Sequence, residues 1–282
     1  KVKTNMKKYS FLEVLALLFT ACGENVEEQA QRYMDRANKA FQAENYSEAK
    51  QLIDSVKILF PNAFETRKQG IKLMLQVEEA EQLRTIEYES SMIDACNDRI
   101  EPMKKQFKFE KDEKYQDIGL YVVASQAPEK NIGVNYLRGQ VDELGRLVIV
   151  STYSSSSYMH HRSVRVVCGD VYAESPESDD YYEFKDLGLC YEKCNLKWGE
   201  DGGVAAFIAM NHNKSIQVIL NGANGKTYKY NMRPADRDAI AALYELSTLL
   251  TEREDHKKIK EEAVRRLDFT RSKMEKPNNL SE

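Results

Sequence analysis

Apolar and small residues recur at helical spacing in the N-terminal part of the chain, from Glu27 to Phe60. The pattern is interrupted at Ala43–Asn45, where the chain can turn, and Pro61 follows its second half. Because proline lacks the backbone N–H that a helix interior needs, it ends the second segment. The pattern therefore predicts two antiparallel helices joined by a tight turn.

The next segment, Phe64–Phe107, predicts one long helix, because it contains a single glycine and a single proline. Apolar residues repeat every seven positions, with two more between them: Ile86, Ile93, Ile100 and Phe107, then Cys96 and Met103. Such a repeat is typical of a coiled-coil seam. The predicted partner is the C-terminal segment that opens at Pro234, and we expect the two helices to lie antiparallel. Pro102 is expected to kink or restart the first helix.

After Lys114, short runs of β-branched and aromatic residues alternate with turn residues. These runs predict strands at 119–123, 135–141, 146–153, 162–172, 216–220 and 226–231. Residues 201–210 predict a short helix, since an aspartate cap precedes two alanines, although the valine, phenylalanine and isoleucine there also fit a strand. We expect an antiparallel β barrel or sandwich inserted between the long helices, and α+β as the fold class.

The first residues have the order of a secretory signal, with a basic Met6–Lys8, an apolar Phe11–Phe19 and small residues before Cys22. Residues 18–22, Leu-Phe-Thr-Ala-Cys, resemble the lipobox of bacterial lipoproteins, in which the cysteine is acylated and becomes the mature N-terminus. The resemblance implies a signal peptide at 1–21, lipidation of Cys22 and attachment to a membrane of the bacterial cell envelope, periplasmic or surface-facing. The alternative is a buried amphipathic helix in which Cys22 is an ordinary thiol, and Glu13 favours it.

The predicted helical hairpin has small residues at the positions where two helices would touch: Ala37, Ala40 and Ala49, with Tyr33, Tyr46, Ile53 and Val56 between and after them. With Asn45–Ala49 as its most specific part, this pattern resembles one tetratricopeptide repeat. Glu44 stands where that family usually has a turn glycine. A single repeat cannot bury its own apolar face, so we expect the long helix to pack on it.

These patterns divide the chain into six parts. They are a signal peptide at 1–21, a lipidated tether at 22–27, a TPR-like hairpin and long helix at 28–115, a β-rich domain at 116–232, a C-terminal long helix packed on the helical domain at 233–275, and a disordered tail at 276–282. No run of about 18 apolar residues is present, which excludes a polytopic membrane protein.

The charge balance bears on partners. The 282 residues carry a formal net charge of −4, and the leader contributes four lysines and one glutamate, so its removal leaves −7. Phosphate backbones repel such a chain, which disfavours nucleic-acid binding. The membrane, through the lipid anchor, and a protein or glycan remain as expected partners.

The candidate chemistry begins with His160 and His161, the only adjacent histidines. Neighbouring strand residues point to opposite faces, so the pair does not readily share a metal, and a surface loop or strand end is the favoured interpretation. Tyr153, Tyr158 and Trp198 could form a stacking platform for a ligand, although tyrosines on strands also fill cores. The two histidines and these three aromatics are the candidate ligand-binding residues.

Three cysteines form the other candidate group: Cys168, Cys190 and Cys194. On one strand Cys190 and Cys194 would lie about 13 Å apart, too far for a disulfide, whereas a turn at Glu192–Lys193 would bring them together. An envelope location permits a disulfide that uses Cys168, Cys190 or Cys194, but buried thiols are the favoured interpretation. No spacing matches a zinc knuckle, a phosphate-binding glycine loop or a catalytic signature, so no catalytic residue, metal or cofactor is predicted.

The sequence therefore predicts a lipid-anchored envelope protein with a non-enzymatic binding or scaffolding role. Two alternatives stay open. One is an envelope hydrolase that uses His160 or His161, which requires a serine or carboxylate within hydrogen-bond reach of the imidazole and a concave pocket. The other is a metal- or redox-responsive module based on Cys168, Cys190 and Cys194.

Overall fold

A computed structural model describes residues 25–186 and 188–275. The predicted signal peptide at 1–21, Cys22 in the segment that resembles a lipobox, and the predicted tail at 276–282 lie outside these residues. The five α-helices of the described residues are α1 (Val26–Gln42), α2 (Tyr46–Leu59), α3 (Phe64–Lys104), α4 (Val204–Met210) and α5 (Pro234–Glu275). Within the same described residues the ten strands are β1 (Lys108–Glu110), β2 (Leu120–Val122), β3 (Tyr136–Asp142), β4 (Leu147–Ser155), β5 (Ser163–Cys168), β6 (Val171–Glu174), β7 (Tyr181–Asp186), β8 (Leu189–Leu196), β9 (Gln217–Asn221) and β10 (Thr227–Asn231).

The helical hairpin is confirmed, and local capping explains its turn. Asn45 accepts a hydrogen bond from the Glu48 backbone N–H at 3.3 Å and donates its amide to the Glu48 carboxylate at 2.8 Å. This reciprocal pair starts α2 in the manner of a capping box. Glu44 has a φ of 56°, the left-handed conformation that glycine adopts most easily.

The chain forms two compact units, and the first contains residues 25–87 and 261–275. Its core is built from α1, α2 and the first part of α3, with small side chains at the helix contacts: Ala30, Ala37, Ala40, Ala49 and Ala63. Lys50 pairs with Glu81 at 2.8 Å, which joins α2 to α3. Arg271 pairs with Glu79 at 2.7 Å, which joins α5 to α3 within this unit.

The second unit, Tyr88–Lys260, contains both sheets, α4 and the inner parts of α3 and α5. All strand pairs are antiparallel, in a six-stranded sheet of order β1-β2-β3-β4-β8-β7 and a four-stranded sheet of order β10-β9-β5-β6. Both sheets are open in the described residues, so the single curled barrel is not formed. Residues of both sheets, α4 and α5 share one hydrophobic core. The α+β class is confirmed.

Several elements differ from their predicted extent. The ambiguous segment at 201–210 forms the short helix α4, as favoured. The helix α3 ends at Lys104, two residues after Pro102, so the proline lies in its last turn. The run predicted as one strand over 162–172 is the hairpin β5–β6, which turns at Gly169 with a φ of 60°.

Among the described residues, none of the helices has the length and hydropathy that a membrane span requires.

Candidate functional site

The site is organised around the loop 156–162, which leaves β4 in one sheet and enters β5 in the other. Glu192 lies at the centre of β8 and faces this loop. One oxygen of its carboxylate, Oε1, accepts hydrogen bonds from the backbone N–H groups of Met159 and His160, the latter at 2.9 Å. The other oxygen, Oε2, accepts from the His161 backbone at 2.9 Å and from its ring Nδ1 at 2.8 Å. A single buried carboxylate thus binds three consecutive residues of the loop.

This set of donors decides the charge of Glu192. Burial raises the pKa of the carboxyl, because Glu192 is 1% exposed, but the hydrogen bonds from His161, His160 and Met159 outweigh burial. The result is a pKa of about 2, below the ordinary 4.5. Glu192 is therefore an ionised acceptor at neutral pH.

The charge of Glu192 also determines which nitrogen of the His161 ring carries a proton. An ionised carboxylate can only accept, so Nδ1 carries a proton and donates to Glu192. In the neutral ring Nε2 then accepts from the Ser151 hydroxyl, whose Oγ lies 2.6 Å away. Ser151, His161 and Glu192 thus form the hydrogen-bond sequence of a serine-hydrolase triad. Ser151 and His161 are both 0% exposed, and no solvent reaches the hydroxyl in this conformation.

The two buried cysteines of β8 hold the ends of the same loop. Cys190, Glu192 and Cys194 alternate along β8 and share its buried face. The Cys190 thiol lies 3.7 Å from the Ser156 carbonyl oxygen, and the Cys194 thiol lies 3.4 Å from the Arg162 carbonyl oxygen. Burial raises the pKa of Cys194 to about 11, so this thiol stays protonated at neutral pH. The strand interpretation is the one observed, and its spacing prevents a disulfide between these two cysteines.

His160 is presented on the outside of the loop. Its φ is 55°, an uncommon conformation for a residue with a side chain, and its ring is about half exposed. The ring stacks on Tyr158, with centroids 5.6 Å apart and an interplanar angle of 20°. Its Nδ1 lies 2.9 Å from the Glu183 carboxylate, which also accepts from the Tyr181 hydroxyl. Backbone strain of this kind persists only where surrounding contacts fix it, and it is concentrated at functional sites.

The predicted site residues are thus separated by the fold. His160 and Tyr158 face outward as a stacked pair, whereas His161 is in the core. Tyr153 is 9% exposed and packs its ring edge-on at 6.2 Å from His161, as a core residue does. Trp198 lies beyond the end of β8 and is half exposed, outside this group of rings. Cys168 is at the end of β5 and is partly buried.

A second group of aromatic rings covers the opposite face of β7 and β8. Tyr182 is 61% exposed, and its ring lies 5.7 Å from Phe184. Phe184 stacks on Tyr191 with centroids 4.9 Å apart and an interplanar angle of 9°. The strand β7 is the last strand of its sheet. The two groups of aromatic rings therefore lie on the two faces of the same sheet edge. We call these six residues the β7 surface: Tyr158, His160, Tyr181, Tyr182, Phe184 and Tyr191.

Sequence reasoning missed Glu192 and Ser151, and a signal for Glu192 was present. In the alternation Cys190, Glu192, Cys194, Leu196, the glutamate occupies a position of the buried face. A carboxylate at such a position is buried only when it is paired or hydrogen-bonded. The interpretation of 189–196 as a strand would therefore have marked Glu192 as a residue with fixed partners.

In comparisons with known proteins, the chain matches no protein-family model, no curated protein and no solved structure at a significant level.

The depressed pKa of Glu192 predicts a specific acid sensitivity. A carboxyl whose pKa is lower in the folded than in the unfolded chain contributes stability above the unfolded value, and this is lost as pH falls through the folded value. We expect Glu192 to account for about 3 kcal/mol of unfolding free energy lost between pH 4.5 and 2. Urea denaturation at a series of pH values measures this. Glu183→Gln should keep the loss, and Glu192→Gln should remove it; an unchanged acid profile in Glu192→Gln would contradict the assignment.

Proposed function

We propose that the chain is a lipid-anchored protein of the bacterial cell envelope, attached through Cys22, with a non-enzymatic binding role. Its binding site in this proposal is the β7 surface, and its partner is a protein or a glycan. The observation that carries the proposal is the exposed His160, held in the left-handed conformation by the buried Glu192 and stacked on Tyr158. Such a rigid ring pair loses little conformational entropy when it binds a ligand.

The chemistry of the β7 surface fits such a partner. Binding surfaces are enriched in aromatic residues, and tyrosine combines a large apolar ring with a polar hydroxyl. The Arg162 guanidinium lies over the Tyr181 ring at 4.5 Å, and the Tyr181 hydroxyl donates a hydrogen bond to the Glu183 carboxylate. A partner that binds at this sheet edge can therefore meet stacking faces, hydrogen-bond donors and hydrogen-bond acceptors.

Two finer features of the fold belong to this proposal. We take α1 and α2 as a tetratricopeptide-like hairpin, supported by the buried alanines at their contact and by the left-handed Glu44 in the turn. We take the two open sheets as sandwich-like, supported by their shared core.

The proposal is tested by capturing the partner in native membranes. A photo-reactive residue at Tyr182 should crosslink a defined protein or glycan, and the same probe at Tyr115, which is 74% exposed before β2, is the matched control. The double substitution Tyr158→Ala with His160→Ala should lower the yield at Tyr182 by at least tenfold, because it removes the stacked pair. Equal yields at both probe sites, or an unchanged yield in the double variant, would contradict the β7 surface as the binding site.

An envelope hydrolase is the second candidate function, and the Ser151–His161–Glu192 chain favours it. The exclusion of Ser151 from solvent opposes it, because a nucleophile must reach the substrate. A fluorophosphonate probe separates the two functions. The binding proposal expects no label on Ser151 in the folded chain, and stoichiometric labelling that disappears in Ser151→Ala would establish the hydrolase.

The redox alternative is weakened by the structure of β8. Cys190 and Cys194 contact loop carbonyls. Burial raises the pKa of Cys194 to about 11, so this thiol contains almost no reactive thiolate at neutral pH. We therefore assign these cysteines a role in fixing the loop.

A further inference from the structure

A cluster of side chains with metal-ligand chemistry lies between α3 and α5 within the second unit and includes no residue of the β7 surface. It consists of Cys96 on α3 and of Glu252 and His256 on α5, whose ligand atoms all lie within 4.8 Å of one another. Glu252 and His256 are four residues apart, so they share one face of their helix. Cys96 is 3% exposed and the other two are partly buried.

The histidine of this cluster is oriented by a further carboxylate. Glu89, on α3, is 6% exposed and lies 2.5 Å from Nδ1 of His256. Glu89 precedes Cys96 by seven residues, or two helical turns, and so lies on the same side of α3. With Nδ1 bound to Glu89, Nε2 is the ring nitrogen that is left for a metal ion. Metal-binding histidines are commonly held in this way, by a carboxylate on the nitrogen that does not bind the metal.

We propose that Cys96, Glu252 and His256 bind one zinc ion, with Glu89 as the residue that positions His256. Thiolate, imidazole and carboxylate are the three donor types that zinc takes in proteins. The hard ions magnesium and calcium prefer sites built from oxygen donors alone, so the sulfur and nitrogen donors select against them. Three protein ligands leave the fourth tetrahedral position to water.

The geometry of the cluster is close to that of a zinc site. Bond lengths of about 2.0–2.3 Å put the ligand atoms of a tetrahedral zinc about 3.5 Å apart. Because the ligand atoms of this cluster all lie within 4.8 Å of one another, small side-chain movements suffice to bring them to that spacing. Burial raises the pKa of the Cys96 thiol, and the nearby Glu252 carboxylate adds to this effect. Zinc binding therefore releases the thiol proton as the sulfur becomes a thiolate ligand.

The chain offers a matched control for this cluster. Nδ1 of His212 lies 3.2 Å from the Asp238 carboxylate, so this pair reproduces the His256–Glu89 contact. No cysteine joins His212 in a metal-ligand group of the described residues. His212→Asn thus removes a histidine with a carboxylate partner and leaves the proposed ligands in place.

The test is a titration of the metal-free full chain with zinc against a chromophoric chelator, and a parallel titration with cobalt(II). We expect one tightly bound ion per chain and a thiolate-to-cobalt charge-transfer band. Cys96→Ser and His256→Asn should each weaken binding by at least about 100-fold, and Glu89→Gln by about 10- to 100-fold. His212→Asn should bind like the unchanged chain.

Circular dichroism of each metal-free variant checks that it is folded. If Cys96→Ser does not fold, Glu89→Gln and the cobalt spectrum decide the question, because Glu89→Gln retains all three ligands. The proposal is overturned if the unchanged chain binds no zinc, if the cobalt complex lacks the thiolate band, or if affinity is the same in Glu89→Gln and His256→Asn as in the unchanged chain.

Discussion

Replacement of Glu192 by glutamine is expected to lower the free energy of unfolding by about 3–5 kcal/mol, the largest effect of any conservative change in the loop site. The carboxylate accepts four hydrogen bonds, and an amide offers one oxygen and one N–H₂ group in its place. The amide nitrogen would face backbone donors that water cannot reach. Buried donors without acceptors account for the expected loss.

The matched control is Glu183→Gln, at the position directly opposite on β7. Glu183 is 37% exposed and its partners are His160 and Tyr181, so water can replace them. We expect this variant to lose no more than about 1 kcal/mol. Urea denaturation of both variants at pH 7 measures the difference. Equal losses would mean that the loop is not held by the buried carboxylate.

Replacement of Gly145 by alanine is expected to cost about 3 kcal/mol. Gly145 ends the turn of the β3–β4 hairpin with a φ of 87°, a conformation unfavourable for L-residues. An added Cβ would lie 2.6 Å from the Thr251 backbone nitrogen and 2.8 Å from the Ser247 carbonyl oxygen of α5. The left-handed conformation contributes about 1–2 kcal/mol of the loss, and the overlap with backbone atoms contributes the rest.

Gly169→Ala separates these two contributions. Gly169 turns the β5–β6 hairpin with a φ of 60°, and an added Cβ there meets no atom within 4 Å. We therefore expect only the conformational part of the loss, about 1–2 kcal/mol. Thermal and urea unfolding of the two variants give the comparison. If both glycines respond alike, α5 does not pack against the β3–β4 turn as closely as the structure has it.

The predictable part of the fold is the part with a strong local pattern. The helical hairpin follows from buried residues that recur every three to four positions, such as Ala37 and Ala40, and from the Asn45 cap. The β3–β4 hairpin follows from two apolar runs that flank Asp142–Gly145. In each case contacts between residues close in sequence determine the structure, so a short stretch of the sequence is enough to predict it.

Strands β7 and β8 were missed because their pattern is not one of apolar and polar faces. The strand β7 carries charged and aromatic residues on both faces, as an edge strand can. The buried face of β8 includes Glu192, which a hydropathy pattern counts as exposed. Only the hydrogen bonds from the loop make this burial favourable, and these bonds come from residues 31 to 33 positions away.

The candidate site was predictable in its location and not in its arrangement. The adjacent histidines His160 and His161 marked the loop 156–162 as the candidate site. Which histidine is buried depends on the pairing of β4 with β8, which places Ser151 and Glu192 beside the same ring. Two strands so far apart in sequence have no local signal for their register, so the hydrogen-bond chain could not be foreseen.

In the proposed function the chain is attached to a membrane through Cys22. Mass spectrometry of the N-terminal peptide, from protein isolated out of the native membrane fraction, tests it most directly. We expect the peptide to begin at Cys22 and to carry fatty acyl groups, and Cys22→Ser to leave the protein uncleaved and without acyl chains. A native chain that still contains residues 6–21, with an unmodified cysteine and in the soluble fraction, would contradict it.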